Sequence, residues 1–92
     1  MSTQKEDKQQ RVLEKEERER LAAVIGNRVI HTLGQPGDLH LLQVRHLWEN
    51  CYRVNVLVGA DTASAKVLYS YFLVVDLDGS IIESTPKITR QY

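Results

Sequence analysis

Apolar residues recur at helical spacing early in the chain and at a spacing of two later on. In LAAVIGNRVIHTL, residues 21–33, a step of about 100° per residue puts Leu21, Ala22, Ile25, Val29 and Leu33 on one side. That stripe predicts a helix docking onto something. Gly26 interrupts it and weakens the helix by about 1 kcal/mol relative to Ala, while offering room for close approach. Gly34, followed by Pro36 and Gly37, is a strong helix stop.

From residue 39 the period changes. LHLLQVRHLW, 39–48, reads as a strand in which Leu39, Leu41 and Leu47 oppose Leu42, Val44 and Trp48. CYRVNVLVG, 51–59, alternates cleanly: Tyr52, Val54, Val56 and Val58 against Arg53 and Asn55, the pattern of a half-buried strand. ADTAS, 60–64, is a polar turn. AKVLYSYFLVV, 65–75, sets Val67, Tyr69, Tyr71, Leu73 and Val75 against Leu68, Phe72 and Val74. A strand apolar on both faces is a central one. After DLDG, SIIEST reads as an edge strand ended or bulged by Pro86, and KITRQY as its resumption.

The expected fold class is therefore α+β: a long N-terminal helix, then a four-stranded antiparallel meander with the helix on one sheet face. This element order resembles cystatin-like and PepSY-like domains over about 60 residues. The cystatin signature Gln-x-Val-x-Gly has no counterpart, because Gln43-Val44-Arg45 does not match it, so protease inhibition is not implied.

Charge divides the chain further. Residues 5–20, KEDKQQRVLEKEERER, hold 12 of the 24 charged residues, six of each sign. Asp7–Arg11, Glu14–Arg18 and Glu16–Arg20 set an acid four residues before a base, each pair worth about 0.2–0.5 kcal/mol on a helix. Ser2 or Thr3 is the candidate cap. Residues 1–20 thus read as a charged, solvated helical extension, and 21–92 as a single α+β domain. The 92 residues carry 12 basic and 12 acidic side chains, and this balance argues against a dedicated nucleic-acid binder. One cysteine, Cys51, allows no intrachain disulfide and no cysteine-based zinc site. The polar start MSTQKEDKQQ and the short apolar runs point to no export signal and no membrane span, hence to a cytoplasmic protein.

Four features could carry chemistry. FLVVDLDGSI, 72–81, resembles the first motif of the haloacid-dehalogenase-like phosphatases. The resemblance implies that Asp76 attacks phosphorus and Asp78 acts as acid and base around Mg²⁺. In that family later strands of a longer α/β domain supply a Ser or Thr, a Lys and acidic metal ligands, whereas IIESTPKITRQY reads as a strand with a proline and holds a single acid, Glu83. The motif therefore reads as a turn, with Asp76 accepting backbone N–H groups and Gly79 in the left-handed position. His40 and His46 lie six strand residues apart, about 20 Å, too far to share a metal, and His31 has no metal-binding spacing. Cys51, in a hairpin, reads as a small half-buried residue. YSYFLVV is similar to the aromatic strand of RNA-recognition domains, whose two helices and basic, glycine-bearing strand are missing here. Tyr69 and Tyr71 thus belong under the helix or in an interface rather than under stacked bases.

No catalytic, cofactor or metal residue is expected, and the chain does not read as an enzyme. The expected function is a non-enzymatic small protein-interaction module, most simply a homodimer. The reason is that one helix covers one sheet face and the second needs a partner. Trp48, Tyr69, Tyr71, Leu39 and Leu41 are the expected contact residues. The alternative is a small-ligand-binding domain with a pocket between helix and curved sheet.

Overall fold

The computed structural model describes the backbone from Ser2 to Tyr92 and the side chains from Lys15 onward. The cap at Ser2 or Thr3 and the Asp7–Arg11 and Glu14–Arg18 pairs lie outside the described side chains. Helix α1 spans Ser2–Leu33, and β1 (Leu39–Trp48), β2 (Cys51–Val58), β3 (Lys66–Val75) and β4 (Ile81–Thr85) follow. All neighbouring strands pair antiparallel in the order β1-β2-β3-β4, so the chain is the expected α+β meander.

The predicted helical stripe is the one that docks. Ile25, Val29 and Leu33 are fully buried, with Leu21 packed half-buried against the same cluster. They meet Tyr52, Val54 and Val56 of β2 and Tyr71, Leu73 and Val75 of β3. Burying one such aliphatic side chain contributes about 1.5–3 kcal/mol. Residues 15–20 of the same helix are all exposed, so its charged stretch adds nothing to this core.

The connections follow their residues. Glu49-Asn50 forms a two-residue hairpin turn with Glu49 at φ 46°. The Asn50 side chain donates to the Val75 carbonyl at 2.7 Å, and Asn50's own carbonyl accepts from Val75 N–H at 3.0 Å. The first hairpin is thereby tied to the end of β3. In the β2–β3 turn, Ser64 N–H donates to the Asp61 carboxylate at 2.9 Å. That bond is the main reason the carboxyl sits below its ordinary pKa.

KITRQY does not resume β4. The segment after Pro86 leaves the sheet and returns to the end of α1, where Gln91 and Tyr92 N–H both donate to the Leu33 carbonyl, at 2.8 and 3.2 Å. Ile88 is buried on the way and joins the core. A helix leaves its last carbonyls without intrahelical partners, and here the chain's last two residues supply donors. The approach needs Gly34, at φ 89°, because a Cβ there would stand 2.5 Å from the Tyr92 carbonyl oxygen.

Candidate interaction surface

Three of the sheet's four register shifts decide which faces Leu39, Trp48 and Val67 take. Within a regular strand, parity assigns the face, and a bulge inserts one residue and reverses the assignment beyond it. The shift between Leu39 and Leu41 pairs Leu39 with buried Val58, so Leu39 packs half-buried toward the helix instead of standing opposite Leu42. The shift between His46 and Trp48 pairs Trp48 with Cys51 and takes it off the face of Leu42 and Val44. Its ring lies 5.8 Å from that of Phe72, tilted by 40°. The shift between Val56 and Leu57 pairs Val67 with Leu57 and removes it from the face of Tyr69 and Tyr71.

The resulting open face carries two apolar ends. Leu41, Leu57, Val67 and Leu68 lie at one, and Trp48, Phe72 and Val74 at the other. Trp48 is 57 % exposed and Leu41 47 %. Between the two ends runs a polar row. The Asn55 amide donates to Gln43 Oε1 at 3.2 Å, Ser70 Oγ donates to Asn55 Oδ1 at 2.7 Å, and Arg53 Nη1 donates to Ser70 Oγ at 3.0 Å. Arg45 pairs directly with Arg53 in the register.

Of the expected contact residues, then, Trp48 and Leu41 stand on the open face. Leu39 and Tyr69 are half-buried on the helix side. Tyr71, only 3 % exposed, is a core residue and offers no contact surface. The two tyrosines stack at 6.1 Å between ring centroids, and the Tyr69 hydroxyl pairs with that of Tyr92 at 3.2 Å. The Tyr92 hydroxyl is pushed up to about 12, the bond to Tyr69 being the largest cause. Burial raises the Tyr52 and Tyr71 hydroxyls, with Arg18's charge acting the other way on Tyr52.

The remaining candidates fall in structural roles. Asp76 Oδ1 accepts from Asp78 N–H at 2.9 Å and Ser80 N–H at 2.8 Å, and the Asp76 carbonyl accepts from Gly79 N–H at 3.1 Å. One carboxylate oxygen thus organises the whole β3–β4 turn. A Cβ on Gly79, at φ 83°, would stand 3.0 Å from Leu21 and Val24, so this turn also abuts the helix. His46 is held at the first hairpin, its Nε2 2.7 Å from the Glu49 carbonyl and its ring edge-on to Tyr52 at 5.0 Å. His31 and His40 are exposed, and Cys51 is buried next to Val74 in the register. Among the described residues no three His, Cys, Asp or Glu side chains converge as a metal site would require. No helix among them is long and apolar enough to cross a membrane.

Grooves flank the helix among the described residues. About 550 Å³ lies beside Asn27, Arg28, His31, Thr32, Ser80 and Ile81, and about 360 Å³ beside Glu17, Arg20, Leu21, Val24, Leu77 and Asp78. On the opposite flank, about 350 Å³ lies between Ala22, Ala23, Gly26 and Asn27 of α1 and Leu42 and Val44 of β1. The space directly under the helix is filled by Ile25, Val29 and Leu33.

The chain matches no protein-family model, no curated protein and no solved structure.

Proposed function

We propose that this protein is a non-enzymatic interaction module that self-associates through its sheet. The observation that carries the reading is the partial cover of that sheet. One helix covers one face, while Trp48, Leu41, Val67 and Leu68 stand exposed around the other. Exposed apolar groups at both ends of one sheet mark it as a contact element, and a two-fold dimer is the commonest way for a single small chain to supply a partner. The candidate chemical groups support the same reading: Asp76 is spent on a turn and Tyr71 on the core.

Sedimentation velocity over a wide concentration range tests it. The expected result is a concentration-dependent shift from monomer to dimer, weakened by Leu41→Lys with Trp48→Lys. Both side chains are exposed, so the double variant should keep the native circular dichroism. A chain that sediments as a monomer up to millimolar concentration overturns the proposal.

A further inference from the structure

We infer that β1 pairs edge to edge with β1 of a second copy, antiparallel about a two-fold axis at Val44, giving one continuous eight-stranded sheet. The inference rests on the self-association proposed above and names its surface.

The two sheet edges are unlike. β4 has five residues, includes Glu83 and runs into Pro86. Short length, charge and proline are the usual protections of an edge strand. β1 has ten residues and contains no proline, lysine or acid. Its two bulges lie near its ends, and between them Leu41 to His46 is a regular row of outward backbone donors and acceptors whose one fixed charge is Arg45.

The core is also unfinished on the β1 side. Val54 and Val56 of β2 are fully buried, whereas their partners across the register, Val44 and Leu42, are only half-buried. The groove of about 350 Å³ beside them is lined by α1 and β1 alone, with Ala22, Ala23 and Gly26 too small to fill it. A strand added beyond β1 places its inward side chains at the mouth of this groove.

Stacking two open faces is the competing geometry, and the polar row opposes it. Burying Gln43, Asn55, Ser70 and Arg53 strips their water, and the paired Arg45 and Arg53 have no acid between them. Edge pairing leaves that row wet.

The occupant is a second copy because β1 complements its own reverse. With Val44 opposite the partner's Val44, Gln43 meets the partner's Arg45 and Leu42 meets the partner's His46, all within the regular stretch between the two bulges. The Gln43 amide oxygen faces the Arg45 guanidinium, and no two fixed like charges are opposed.

Disulfide trapping tests the geometry. Opposite residues of an antiparallel pair have Cα atoms about 4.5–5.5 Å apart, within the reach of a disulfide. In a Cys51→Ala background, mild oxidation of Val44→Cys should shift the main band on a non-reducing gel to dimer mass. Should that half-buried substitution impair folding, an equimolar mixture of Gln43→Cys and Arg45→Cys chains, both exposed positions, should give the mixed disulfide. Arg53→Cys, on the open face of β2, should stay monomeric on the same gel. A chain that sediments as a dimer yet crosslinks at 53 and not at 44 or 43/45 overturns edge pairing while leaving self-association intact. A dimer that crosslinks at none of these positions also overturns edge pairing. A native chain that never dimerises overturns both.

Discussion

Asp76 shows how one side chain can imitate a catalytic group and serve a structural one. Its local sequence, an apolar strand followed by Asp-x-Asp-Gly, suits a nucleophile at a strand end. Its Oδ1 instead accepts two backbone N–H groups that the reversing chain would otherwise leave without protein partners. Replacing Asp76 by Ala should lower the unfolding free energy by about 1–2 kcal/mol, since two donors lose their acceptor at once. Asn keeps one acceptor oxygen and should recover part of the loss. Urea denaturation of the two variants measures both values, and equal stability of Asp76→Ala and the native chain would contradict the turn assignment.

At the scale of the element, α1 and the strands differ in how much their sequence reveals. The helix docks through the residues its periodicity marks, Ile25, Val29 and Leu33, because 3.6-residue spacing is a local property that a neighbour does not alter. Gly26 is a different matter. Its position suggested a close approach, but a Cβ there would meet Leu42 Cδ1 at 3.5 Å and Val44 Cγ2 at 3.6 Å, ordinary contact distances. Gly26→Ala should therefore stabilise the chain by up to about 1 kcal/mol through helix propensity. A rise in the thermal midpoint checks it, and a fall would show that β1 cannot accommodate the methyl group. In the strands, parity was legible only between bulges. Leu39, Trp48 and Val67 each lie beyond a register shift, and each faces the side opposite to the one that alternation indicates. A register shift depends on how two strands accommodate one another, which neither strand's own pattern records.

The whole molecule is extended, 53 Å in its longest dimension, because the helix outruns the sheet it covers. Its compact part is closed by the C-terminal segment, which brings Ile88 into the core and Tyr92 to Tyr69. This closure has a pH signature. Tyr52, Tyr71 and Tyr92 all hold their protons above the ordinary tyrosine value in the folded chain, Tyr92 to about 12. Above pH 10 the unfolded chain releases protons that the folded chain still keeps, so stability falls as pH rises from about 10 to about 12 and is unaffected by these groups below that window. Thermal midpoints at pH 8 and 9 should agree on this account and then decline. Tyr92→Phe should flatten the decline by removing one of the three groups. An unchanged pH profile in that variant would show that the Tyr69–Tyr92 pair does not form in solution.

By itself the sequence determined the order of elements, the buried stripe of α1, the alternation of β2 and the turn at Asp76-Leu77-Asp78-Gly79. These follow from spacing and turn chemistry within a few residues, where the physics is local. Only the tertiary structure decided the faces of Leu39, Trp48 and Val67, the return of KITRQY to the Leu33 carbonyl, and the unfinished core along β1. Each of these depends on contacts between residues far apart in the chain, and a hydrogen bond from Gln91 to Leu33 leaves no mark in the pattern of either neighbourhood.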